Sequence, residues 1–173
     1  MNKTPDTASK STHRESPKET PIELESEFVA TLKRFWEEDI TFNKLLGLEV
    51  QSIRPQEVVG VIHMRPELIG HRPTHRIHGG VISAGLDAMG GLAVMAAIAA
   101  RHMDEPPAQR MHRFMKLGTI DLRIDYLRPG VGTTFTLKAE VLRLGSRVAS
   151  TRMAFLDAQG KLLSTGSGAY IVS

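Results

Sequence analysis

The chain has 173 residues, 41% of them hydrophobic and 24% charged, the proportions of one ordinary globular domain with enough apolar surface for a proper core. Its net charge is +3 and aromatic residues make up 5%, with Lys and Arg dispersed rather than in runs, so nucleic acid is a poor candidate partner and anionic small molecules fit better than a polyanion or a membrane surface. Cysteine is absent, which removes disulfides, a thiol nucleophile and a thiolate metal site and allows a reducing compartment.

Residues 1–23 are rich in Lys, Ser, Thr, Pro and Glu and hold almost no large apolar side chain, so they are expected to form a disordered tail ahead of a single domain over 24–173. The tail lacks the apolar region of a secretory signal, and Asp6, Glu15 and Glu19 are unlike a transit peptide; the expected location is the cytoplasm. Phe28, Leu32, Phe35, Trp36 and Ile40 recur at helical spacing, predicting an amphipathic helix, with Gly47 closing it or its following turn. Leu48–Ile53 and Val58–His63 then read as a strand pair around "RPQE".

Val81–Ala100 is apolar over twenty residues, enough to cross a bilayer. It relies on Ala and Gly, however, and carries Asp87, whose cost at a membrane centre is roughly 2.5–3.5 kcal/mol. A helix buried inside a sheet fits better. Residues 101–116, "RHMDEPPAQRMHRFMK", read as a flexible loop. From Thr119 to Tyr126, apolar Ile120, Leu122, Ile124 and Tyr126 alternate with polar Thr119, Asp121, Arg123 and Asp125, the pattern of a half-buried strand. After "RPGVG", Phe135, Leu137, Ala139 and Val141 alternate in a second strand, and these two are expected to pair antiparallel. Turns at "LGSR" and "DAQGK" introduce a third strand over Val148–Leu156 and a fourth over Leu162–Val172. Helix, two strands, long helix and four strands make an α+β domain whose sheet must enclose something apolar.

Asp87 is the residue that asks for an explanation. At helical spacing it shares a face with Gly80, Ser83, Gly90, Gly91 and Val94, almost all small. Glycines inside a helix each cost roughly 1 kcal/mol relative to Ala, so those at 80, 85, 90 and 91 imply either close packing, including helix packing across a dimer, or room for a ligand. A buried carboxylate must be paired or hydrogen-bonded, and such groups cluster at functional sites.

His78-Gly79-Gly80, Asp87 nine residues after the His, and Gly90-Gly91 together resemble the motif of the hotdog-fold acyl-CoA thioesterases of the phenylacetic-acid-degradation and 4-hydroxybenzoyl-CoA superfamily. The resemblance extends over roughly residues 24–172 and takes in "RPELIG", "DYLRPG" and "LGSR". It implies a hotdog fold, a curved antiparallel sheet around one long helix, and a homodimer or homotetramer with active sites between subunits. It implies hydrolysis of an acyl-CoA substrate without a cofactor, with Asp87 as nucleophile or general base and the Gly79 N–H polarising the carbonyl. A helix N-terminus suits a developing oxyanion on physical grounds as well. By the same resemblance Thr119 orients the water, the alternative being an exposed strand threonine, and His78 either touches the thioester or orders the loop. Gly80 and Ser83 belong to the substrate-facing stretch.

Many relatives carry Asn before the HGG, where this chain has His71 and Arg72; His71 is the candidate replacement. His71, His75 and His78 have a spacing that would align on a helix, but Pro73 opposes one and no carboxylate is near, so no metal is expected. Arg147 and Arg128, then Arg143, Arg110, Arg113 and Lys116, are candidates for the phosphates of coenzyme A. A non-catalytic acyl-CoA-binding domain and an enoyl-thioester hydratase or dehydratase are the alternative readings on the same fold.

Overall fold

The computed structural model describes residues 22–173; the tail expected over 1–23 lies, save its last two residues, outside the described residues. Helix α1 (Ser26–Arg34) turns Phe28 and Leu32 inward and runs into a π-helical turn, Phe35–Asp39, that buries Trp36. Ile40 leaves the helix with ψ 95°, and α2 (Thr41–Leu46) then ends at Gly47, whose φ of 67° is the left-handed conformation of a helix stop. The single helix expected here is thus two, held together by Asn43 Nδ2 donating to the Trp36 carbonyl at 3.0 Å.

Strands β1 (Leu48–Ile53) and β2 (Val58–His63) stand where the sequence places them. A small two-stranded sheet, β3 (Ile69–His71) with β4 (Arg76–Ile77), leads into α3 (Gly79–Arg101). After α4 (Pro107–Arg113) come β5 (Gly118–Tyr126), β6 (Thr134–Leu144), β7 (Val148–Asp157) and β8 (Leu162–Ile171). The main sheet runs β1-β2-β6-β7-β8-β5, every neighbour antiparallel. Its inner face, with Val58, Ile62, Phe135, Leu137, Met153, Phe155 and Tyr170, packs around α3 and buries Leu86, Met89, Leu92, Val94 and Met95. The architecture is the α+β hotdog arrangement. α3 is long and apolar enough to cross a membrane, but most of its apolar stretch is buried in the domain, where it is the central helix.

Three local expectations need correction. The two strands flanking "RPGVG" are not neighbours: β5 pairs with β8 at one edge of the sheet, while β6 lies between β2 and β7. Alternation selects the face of a strand, not its partner. The segment between them crosses the end of the sheet, where Gly130 O accepts from Ile77 N at 2.9 Å and Leu163 O from the Leu127 and Arg128 N–H groups. Second, residues 101–116 do not form a flexible loop. They fold into α4 and a 3₁₀ turn, and Arg110 is fully buried, paired with Glu25 at 2.7 and 2.9 Å over the Phe28 ring. Arg110 therefore leaves the set of candidate phosphate ligands; Arg113 is ion-paired with Glu105. Third, a bulge between Thr119 and Asp121 breaks the alternation of β5. Ile120, expected inside, is 56% exposed, and Thr119 joins the face that looks at α3.

Two glycines of α3 answer to packing. A Cβ on Gly85 would lie 2.7 Å from Leu137 Cδ2, and one on Gly90 would overlap the Tyr170 hydroxyl. Gly90→Ala is accordingly expected to lose about 1–3 kcal/mol of stability through overpacking, despite the better helix propensity of Ala; chemical denaturation measures it.

Candidate active site

The N-terminus of α3 is built by its cap. His78 has extended backbone, φ −68° and ψ 137°, and its Nδ1 accepts from the Gly80 N–H at 2.9 Å. Nδ1 therefore carries no proton, and the histidine takes the place usually held by Ser, Thr, Asp or Asn. The Val81 and Ile82 N–H groups both go to the His78 carbonyl, at 3.0 and 3.3 Å. Among the described residues none accepts from the Gly79 N–H, which stays free at the positive end of the helix. Tyr126 Oη donates to the Gly79 carbonyl at 3.0 Å, and the strap through Gly130 holds Ile77, so the loop in front of the glycine is fixed from two sides.

A cavity of about 400 Å³ opens at this end of the helix, lined by His71, Arg76, His78, Gly79, Tyr126 and Arg128 among others. His71 is exposed, its Nδ1 2.7 Å from Thr74 Oγ1, and Arg128 Nη1 donates to Leu162 O at 2.9 Å. Gly80, exposed, and Ser83, whose Oγ donates to the Gly80 carbonyl at 3.2 Å, lie on the face of α3 that the sheet leaves open. His71, His75 and His78 fall on a strand, a left-handed turn residue and a helix cap, not on one helix face. The described residues hold no group of three possible metal-ligating side chains.

Asp87 is two turns further on. Its Oδ1 accepts from Thr119 Oγ1 at 2.9 Å and from Tyr170 Oη at 3.2 Å, and Tyr170 Oη also reaches the Asp87 carbonyl at 3.1 Å. Two donors fix one carboxylate oxygen, and among the described residues nothing donates to Oδ2. Asp87 and Thr119 line a second cavity of about 260 Å³ with Trp36, Ile40, Phe42, Phe114, Leu117 and Gly91. Gly79 and Asp87 are eight residues apart, about 12 Å along a helix axis, and the two cavities share no lining residue. Arg147 lies elsewhere. Its carbonyl accepts from Val172 N, beside the β6–β7 turn whose carbonyls accept from Arg101 at the far end of α3.

Sequence reasoning did not single out Tyr170. A signal was there in "GSGAY", where Gly168 stands two residues before the tyrosine on the same strand face: a Cβ on Gly168 would lie 2.9 Å from the Tyr170 ring.

The thioesterase-superfamily profile matches residues 75–164, the span that holds both His78-Gly79-Gly80 and Asp87. The chain belongs to the thioesterase superfamily. A protein named medium/long-chain acyl-CoA thioesterase YigI, from Salmonella typhimurium, is 33% identical over 131 residues, covering 76% of this chain and 84% of that protein. The crystal structure of a Shewanella oneidensis protein related to the thioesterase superfamily aligns with TM-score 0.81 and 37% identity over 86% of this chain and 97% of that one. The Escherichia coli PaaI protein, from the phenylacetic acid degradation operon, shares the fold at 18% identity, with TM-score 0.68 over 86% of this chain and 95% of that one.

Burial, and then the adjacent Asp87 carboxylate, push the Tyr170 hydroxyl far above the ordinary tyrosine value. It stays a neutral donor to Asp87. A folded-state pKa raised above the unfolded value of about 10 contributes stability that is whole below about pH 10 and is lost as pH rises further. In a Tyr126→Phe protein, which retains Tyr170 alone, tyrosinate absorbance is expected to develop only as the chain unfolds in alkali.

Proposed function

We propose that the protein hydrolyses acyl-CoA thioesters to the free acid and coenzyme A. The observation that carries this reading is the placement of an oriented carboxylate, Asp87, on the same helix as an unpaired N–H at its N-terminus, Gly79. The name of the Salmonella relative supports coenzyme A as the carrier.

Asp87 acts as the general base. Its free Oδ2 takes a proton from a water held beside it by the Thr119 hydroxyl, and the water oxygen attacks the thioester carbonyl carbon. The negative charge that develops on the carbonyl oxygen is met by the Gly79 N–H and the positive end of α3. Collapse of the tetrahedral intermediate breaks the C–S bond, and the thiolate of coenzyme A recovers the proton from Asp87. His78 serves this step as the cap that leaves the Gly79 N–H unpaired, and Tyr170 and Thr119 hold the carboxylate. His71, Arg76 and Arg128 give the cavity at Gly79 a basic rim suited to phosphate groups.

Twelve ångströms is too far for one carbonyl to touch Asp87 and Gly79 of the same chain, so the working site takes Asp87 from one protomer and Gly79 from another. The free edge of β5 supplies the means. Its nine residues pair on one side only, and Ile120, Tyr126 and the following Leu127 are half exposed or more. At the other edge, Glu37 accepts from the Val50 N–H of β1, which blunts it. We therefore propose a homodimer joined along β5.

Asp87→Asn removes the base and is expected to lower kcat on an acyl-CoA panel by about 10²–10⁴-fold; hydrolysis at the wild-type rate would sink the mechanism. Gly79→Pro deletes the N–H and adds a ring in ordinary contact with Tyr126; the backbone tolerates it, because proline suits the first helical position and His78 already has the extended conformation that proline requires before it. A loss of about 10²–10³-fold is expected with the fold retained. Mixing the two inactive variants under subunit exchange is expected to restore about a quarter of wild-type activity, since a symmetric heterodimer regains one complete site. No recovery, with exchange demonstrated, would place the site within one chain.

A further inference from the structure

The cavity beside Asp87 gathers its titratable groups at one end, and the one polar side chain elsewhere in its lining among the described residues, Asn43, spends its N–H on the Trp36 carbonyl. Asp87, Thr119 and Tyr170 stand at that one end, while Trp36, Ile40 and Phe42 from the N-terminal segment and Phe114 and Leu117 from the approach to β5 make walls of hydrocarbon and aromatic surface. Among the described residues neither Lys nor Arg lines it, and its volume of about 260 Å³ is below the roughly 300–1,000 Å³ that encloses a whole drug-sized ligand. Such a space suits an alkyl chain held by its carbonyl end, not a nucleotide.

Gly91 lines it one helical turn beyond Asp87. Unlike Gly85 and Gly90, it is not required by packing: a Cβ there would meet Trp36 at 3.4–3.5 Å and Leu117 at 3.7 Å, ordinary van der Waals distances, on a helical backbone. Glycine is the poorest helix former after proline, yet it stands in the middle of α3, and what its missing methyl leaves is space between Trp36 and Leu117. We infer that this cavity receives the acyl chain of the thioester and that Gly91, by withholding a side chain, sets the length of chain it accepts. The inference rests on the thioesterase reading above.

The test is the ratio of kcat/KM for hexadecanoyl-CoA to that for butanoyl-CoA, in the wild type, in Gly91→Ala and in Ala88→Val, which narrows the same cavity from one helical turn earlier. One methyl group too many in an apolar pocket discriminates by about 10–200-fold, so the ratio is expected to fall about tenfold or more in both variants. Gly91→Ala is at the same time expected to raise Tm by about 2–4 °C through helix propensity, which separates a blocked pocket from a damaged fold. A ratio that stays put in both variants, with the wild type active, overturns the role of Gly91 and leaves the thioesterase reading standing. A wild type that hydrolyses none of a panel from butanoyl- to hexadecanoyl-CoA overturns that reading and this inference with it.

Discussion

A carboxylate on a helix that is enclosed over most of its length has to be met by donors, and the rest of this fold is arranged to meet Asp87. Tyr170 reaches it from β8 and Thr119 from β5, residues on adjacent strands of the sheet but 51 positions apart in the chain. Gly90 is absent a side chain so that the tyrosine hydroxyl can approach. The six-stranded sheet therefore does more than cover apolar surface: its β8–β5 end fixes the rotamer of one acid through Oδ1, and no other described residue donates to Oδ2.

The helix serves its two ends differently. Its N-terminus is a dipole end whose first N–H has no partner among the described residues, the His78 side chain taking the second and the His78 carbonyl the next two. At its C-terminus the His102 N–H returns to the Ala99 carbonyl, and Arg101 donates to the carbonyls of Leu144 and Gly145 at the end of β6. A rigid helix keeps Gly79 and Asp87 at a constant separation, and β5, the edge strand of the sheet among the described residues, lies beside both: Tyr126 touches Gly79 and Thr119 touches Asp87.

Much of the architecture was legible in the chain. Apolar alternation located β6 closely, because it has one face against α3 and one toward solvent, the turn signals "RPQE", "LGSR" and "DAQGK" bounded β1, β2, β7 and β8, and the apolar run marked α3 itself. Strand partners were not legible: "RPGVG" looks like a hairpin turn but spans the end of the sheet, since a pattern of two tells which side is buried and nothing about the neighbour. Residues 101–116 misled for a related reason. Their methionines, prolines and charges read as a mobile connection, whereas Arg110 finds Glu25, 85 residues away, and folds the segment onto α1.

For the site, the sequence by itself determined the spacing of His78-Gly79-Gly80 and Asp87, and with it a helix that begins on an open N–H and carries an acid two turns in; both are consequences of local helical geometry. Only the tertiary structure decided what stands opposite that acid. Strict alternation puts Thr119 on the outer face of β5, and it is the bulge at Ile120 that turns it to Asp87. Tyr170 and the wall at Trp36 arrive from the two ends of the described chain, and contacts of that range are set by how the sheet closes over the helix, not by any pattern readable along it.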